Sequence, residues 1–181
     1  MTQIEQIEIP LSKKKIRLAF FGMCMFVIMG MLGLINPSYF VTKPYFPNPW
    51  MIFISGLASV LFFGLGAVLM FRKLSDKRIG LTINKEGIID NSSGGVSAWL
   101  VLWSDIEEIN VCEIFRQKFL IIVIKNPQEY LAKVKNPLKR KTMEANFKMT
   151  GSPISISDGI LKTDFDKLHK LLVDKMKEYK L

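Results

Sequence analysis

Two long apolar stretches without a single charged residue, Leu18–Ile35 and Trp50–Phe71, constrain this 181-residue chain more than anything else in it. As helices rising 1.5 Å per residue they would reach roughly 27 Å and 33 Å, which matches a bilayer hydrocarbon core of roughly 30 Å. Each is therefore expected to cross a membrane. Asp, Glu, Lys, Arg and His are absent from both stretches. Ion pathways and proton relays within membranes usually need such groups, so the hairpin reads as an anchor and not as a transporter or channel.

The flanking charges give an orientation. Lys13, Lys14, Lys15 and Arg17 precede the first span, and Arg72, Lys73, Lys77 and Arg78 follow the second, against one Asp76. The connection between the spans carries only Lys43. The positive-inside rule then places both termini in the cytoplasm and the connection outside, as expected for a multi-pass membrane protein. Basic residues before the first span would also suit a cleaved signal, but the apolar run is too long for one and no A-x-A-like site follows it. The chain divides into a cytoplasmic segment 1–17, spans 18–35 and 50–71, an extracytoplasmic connection 36–49 and a cytoplasmic domain 79–181. Proline, tyrosine and tryptophan crowd the connection from Asn36 to Trp50, a composition suited to the headgroup layer. Gly22, Gly30 and Gly33 in the first span, with Ser55, Gly56, Ser59, Gly64 and Gly66 in the second, permit close helix packing, within one chain or between chains.

From Ile79 the continuous apolar run gives way to short alternating segments. Gly80–Asn84 and Ile88–Asp90 flank a Lys85-Glu86-Gly87 turn, a hairpin signature. Asn91-Ser92-Ser93-Gly94-Gly95 is a turn cluster. Val96–Trp103 reads as an apolar strand broken by Ser104-Asp105. Ile106–Ile114 approximates alternation, and Lys118–Lys125 reads as a core strand ended by Asn126-Pro127. A basic, partly helical segment Gln128–Met149 precedes a short strand at Pro153–Ser157. Finally Phe165, Leu168, Leu171, Leu172, Met176 and Tyr179 recur at helical spacing, with Thr163 as the expected N-cap and Asp166 as its box-like partner. The expected fold class is α+β: a two-helix transmembrane hairpin, then a small antiparallel β-sheet or barrel closed by a C-terminal amphipathic helix.

Strands followed by a terminal helix, with Trp103-Ser104-Asp105-Ile106 at the start of a middle strand, resemble the bacterial pleckstrin-homology-like domains, which often follow two transmembrane helices. Gly80–Ile88 and Gly151–Ile156 are similar to segments expected in one bacterial membrane-protein family of this architecture. The resemblance covers nearly the whole chain, and it implies a fold. Its motifs are structural, so no site residue is carried over. The long basic stretch between Asn126 and Gly151 departs from the compact pattern.

The chemistry-bearing residues are few. Cys24 and Cys112 are expected as unpaired thiols, and two cysteines with one histidine argue against a structural zinc site. His169 falls at the edge of the terminal helix's apolar face, and nucleophile–base arrangements lack a partner for it. Asp105, Glu107, Glu108 and Glu113 read as a solvated strand face, and Trp99 and Trp103 as packing groups before ligand-stacking ones. No phosphate-cradling glycine motif is present. A non-catalytic binding role without cofactor, metal or catalytic residues is the expectation. Lys133, Lys135, Lys139, Arg140, Lys141 and Lys148 face only Glu129 and Glu144 between Gln128 and Thr150. This concentration reads either as contact with anionic lipid headgroups of the bilayer or as a solvated loop. The segment lacks the interleaved aromatics of a nucleic-acid surface, and no nucleic-acid partner is expected. A protein partner, in the membrane or the cytoplasm, and a structural role in a larger membrane complex stand beside the lipid reading.

Overall fold

A computed structural model describes residues 6–41, 48–92, 100–114 and 116–180. The chain divides into two compact units, Lys13–Asp76 and a second formed by Met1–Ser12 together with Lys77–Leu181.

The first unit is an antiparallel pair of helices, α1 (Lys13–Ile35) and α2 (Pro49–Ser75), with a 3-10 turn at Pro37–Phe40. Both are long and apolar enough to cross a membrane. Only 11% of the most apolar window of each is buried, which suits helices bathed in lipid and not the core helix of a water-soluble protein. The helices run beyond the apolar stretches, so Lys13 to Arg17 form the start of α1 and Arg72 and Lys73 the last turn of α2. Glycine sets their closest approach. A Cβ on Gly30 would lie 2.9 Å from the Gly56 carbonyl oxygen, and one on Gly56 would lie 2.8 Å from that of Gly30. Ser59 Oγ donates across the seam to the Phe26 carbonyl at 2.9 Å, and the Phe26 and Phe63 rings stack at 4.4 Å. Gly22 and Gly64 meet nothing within 4 Å. The small residues thus serve packing within one chain at Gly30, Gly33, Gly56 and Ser59, and not at Gly22 or Gly64. At the other end Lys13 Nζ donates to the carbonyls of Lys73, Leu74 (2.7 Å) and Asp76, supplying a cation to the orphan acceptors where α2 stops.

The second unit is built on two antiparallel sheets. One has the order β1 (Ile7–Ile9), β2 (Leu81–Ile83), β3 (Gly87–Asp90) and β4 (Leu100–Leu102); the other has β5 (Ile106–Ile114), β6 (Gln117–Ile124) and β7 (Ser155–Ile156). Neither sheet closes on itself among the described residues, so the α+β class stands without a closed barrel. The β2–β3 hairpin forms where the alternation placed it. Asn84 Oδ1 accepts the Glu86 and Gly87 amides at 3.0 and 2.9 Å, and Gly87 is needed because a Cβ there would collide with the Val101 carbonyl. The strand expected over Val96–Trp103 is described only from Leu100. Gly94, Gly95 and Trp99 lie outside the described residues, as do residues 42–47 of the connection. Trp103 belongs to a 3-10 turn, Trp103–Asp105, that carries the chain from one sheet to the other.

One core joins the two sheets. Leu81, Ile83, Ile88, Trp103, Ile106, Leu120, Ile122, Ile156, Leu168 and Leu172 belong to it, the last two from α5 (Phe165–Tyr179). Ile121, on the opposite face of β6, is also buried, which explains the uninterrupted Leu-Ile-Ile-Val-Ile run: both faces of this strand are covered. The N-cap of α5 is Asp164 and not Thr163. The Asp164 carboxylate accepts the Lys167 amide at 2.9 Å, and Asp166 stands at the second helical position. Cys24 and Cys112 are free thiols.

The segment before α1 is part of this unit. Ile7, Glu8 and Ile9 pair with Ile83, Thr82 and Leu81, Leu11 bridges Leu161, and Ser12 N donates to Ile160 O at 2.7 Å.

Candidate functional site

The basic segment is ordered into two helices, α3 (Pro127–Ala132) and α4 (Pro137–Thr150), each started by proline at its first turn. Tyr130 of α3 is part of the main core, and its hydroxyl donates to Asp105 Oδ2 at 2.7 Å. Burial and that carboxylate push the phenol's pKa up to about 12. Leu131, Val134 and Met143 form a second small core that holds α4 to α3. Asn136 caps α4, accepting the Lys139 amide at 3.1 Å, and Gly151 at φ +78° ends it. Asn146 Nδ2 donates to Ser155 Oγ at 3.3 Å, and Thr150 Oγ1 donates to the Asn146 carbonyl at 2.9 Å. The segment is largely helical, with α4 packed on α3.

That packing sorts the six cations. Lys133 lies over the Tyr130 ring, 5.4 Å from its centroid. Arg140 is bound to Glu144 at 2.9 Å, the i,i+4 pairing that neutralises the one acidic residue of α4. Lys139 is half-buried, and desolvation lowers its pKa. Lys135, Lys141 and Lys148 are exposed and form no ion pair or hydrogen bond among the described residues. Lys141, Ala145, Lys148 and Met149 follow each other at i, i+4, i+7 and i+8, so they share the face of α4 opposite buried Met143. Met149 is 69% exposed. The six cations do not form one patch; two of them share an outward face with an apolar side chain, and the helical spacing of 141, 145, 148 and 149 is the signal that would have separated them.

No protein-family model, curated protein or solved structure matches this chain. The site must be read from its own geometry.

The remaining candidates have structural roles. Trp103 is fully enclosed and donates Nε1–H to the Asn84 carbonyl at 2.8 Å, so it ties the hairpin turn to the core. His169 is half-buried beside Phe165. Glu107 is the extra residue of a bulge between Ile106 and Glu108, and Lys180 Nζ donates to its carbonyl at 3.1 Å. Glu113 stands opposite Lys118 across the β5–β6 ladder. Among the described residues no three His, Cys, Asp or Glu gather as metal ligands.

Within the helix pair, Met29, Gly33, Tyr39, Ile52 and Ser55 help line an open apolar groove of about 650 Å³. Ser55 and Ser59 direct their hydroxyls to the carbonyls of Ile52 and Phe26. The groove is therefore shaped for apolar packing and not for a polar ligand.

Proposed function

We propose that this chain is a membrane-anchored, non-catalytic binding module of a bacterial inner membrane. Its pleckstrin-homology-like domain is presented in the cytoplasm to anionic lipid headgroups or to a protein partner. The observation that carries the reading is the outward face of α4, where Lys141 and Lys148 form no ion pair among the described residues, on a helix packed against α3 through Leu131, Val134 and Met143. Two antiparallel sheets sharing a core with a C-terminal helix support the pleckstrin-homology-like assignment. The two apolar helices support the anchor, and the cations at 13–17 and 72–78 support cytoplasmic termini.

The test is amine labelling of the full-length protein, read by mass spectrometry at Lys141 and Lys148. Both lysines should be protected in native membranes and become reactive in a nonionic detergent that strips partners. Equal reactivity in the two conditions would refute a bound surface.

The helix-pair groove favours a second reading, an accessory subunit of a larger membrane complex whose helices pack there. Native electrophoresis from mild detergent should then show a species larger than the monomer, and a monomer alone would count against it.

A further inference from the structure

We infer that the outward face of α4 is an interfacial surface for the anionic leaflet of the membrane that anchors the chain, with Lys141 and Lys148 at headgroup phosphates and Met149 inserted between headgroups. This inference rests on the binding-module reading and names its partner.

Three observations converge on it. The first is charge: among the described residues Lys141 and Lys148 form no ion pair, and Glu144, the one acidic residue within a turn of them on α4, is bound by Arg140. An anionic leaflet supplies the missing counter-charge. The second is amphipathicity. A free polyanion would be served by lysine alone, and the exposed methionine at the end of the same face calls for an apolar counterpart as well. A headgroup layer accepts both, since the cations meet phosphate while the thioether side chain enters the acyl boundary. Met149 is the most exposed of the large apolar side chains in this unit among the described residues, ahead of Val111 and Leu102. A lone exposed methionine means little; one at the end of a helix face that carries two lysines without an ion pair among the described residues forms a pattern. The third is reach. The chain passes directly from Ser12 of the sheet unit to Lys13 of α1, and residues 76–80 alone join α2 to β2. Five residues extend at most about 18 Å. A bilayer surface is thus always within range of the unit, and weak contacts suffice to orient it.

The experiment uses the full chain reconstituted in vesicles of neutral phosphatidylcholine or of phosphatidylcholine with phosphatidylglycerol. An environment-sensitive dye is attached at Met149→Cys, with Cys24 and Cys112 replaced by Ala. Lys141 and Lys148 labelling on the unmodified chain in the same vesicles guards against disturbance by the cysteine changes. The dye emission should shift to the blue and be quenched by spin-labelled lipid in anionic vesicles only, with the two lysines protected there. High salt should reverse both effects. Each lysine near an anionic surface contributes roughly a fivefold preference, so Lys141→Gln with Lys148→Gln should lower the docked-to-undocked ratio about 30-fold. A water-like emission with reactive lysines in anionic vesicles would overturn the inference. If the lysines were still protected in native membranes, the partner would be an acidic protein and the binding-module reading would survive. A blue shift of equal size in neutral vesicles, indifferent to the double substitution, would also overturn it.

Discussion

Removing residues 6–12 should unfold or severely weaken a domain that begins some 65 residues further along the chain. Ile9 is 8% exposed in the shared core and Leu11 is 6% exposed. Gly80 shows how tightly this strand is seated: a Cβ there would lie 3.0 Å from the Ile9 carbonyl and 3.1 Å from Leu11 Cδ2. Burying an aliphatic side chain of this size stabilises by about 1.5–3 kcal/mol, so the two together contribute about 3–6 kcal/mol before any ladder hydrogen bond is counted. A domain of this size has about 5–15 kcal/mol in total. Two soluble chains make the comparison. One contains residues 77–181 alone; the other restores residues 6–12 by replacing 13–76 with a flexible Gly/Ser linker. Urea unfolding followed by circular dichroism should show a cooperative transition for the linked chain. The shorter chain should unfold about 2–4 M earlier at a slope near 1.5 kcal/mol per M, or show no transition at all. Coincident midpoints would refute the claim that β1 is an integral strand of this unit.

Four further outcomes follow from particular contacts. Gly30→Leu should lower the thermal stability of the detergent-solubilised protein by about 1–3 kcal/mol, since its side chain meets the Gly56 backbone, while Gly22→Ala should be silent; equal effects would place the helix seam elsewhere. Tyr130 has a folded pKa raised above the ordinary value near 10, so its contribution is present below pH 10 and lost as pH rises through about 12. That loss amounts to about 2–3 kcal/mol, and Tyr130→Phe should abolish the alkaline step in an unfolding-versus-pH series. Asp164→Ala should lower the unfolding temperature whereas Thr163→Ala should not, because only the Asp164 carboxylate reaches the Lys167 amide. Trp103→Phe should cost about 1–3 kcal/mol by leaving the half-buried Asn84 carbonyl without its indole donor, measurable by chemical denaturation.

Elements whose periodicity is complete within a few residues were legible before the structure was known. Leu18–Ile35 and Trp50–Phe71 are helices, the alternation around Lys85-Glu86-Gly87 is a hairpin, and the spacing from Phe165 to Tyr179 is an amphipathic helix. What escaped depends on contacts distant in sequence. Ile7, Ile9 and Leu11 alternate with Glu8 and Pro10, yet three residues of alternation next to a lysine cluster carry little weight alone. Their strand exists because Leu81, Thr82 and Ile83 offer it an edge more than 70 residues away. The expected N-cap missed by one residue for a local reason: Thr163 and Asp164 are both good caps, and which of them is used depends on backbone geometry that composition does not reveal.

The basic segment shows why charge counts mislead about surfaces. Six cations against two acids are a concentration along the sequence, but a helix distributes neighbouring residues around its axis at about 100° each. Once Met143 is pinned inward with Leu131 and Val134, the outward direction of α4 is fixed, and it selects Lys141 and Lys148 while leaving Lys139 half-buried and Arg140 beside Glu144. The pinning residues are apolar, few and spread over α3, the joint and α4, and so their partnership is invisible until the chain is folded. A triple substitution at 139, 140 and 141 would therefore remove one outward cation, one half-buried one and one already neutralised, and would blur the role of the face. Substituting 141 and 148 isolates it.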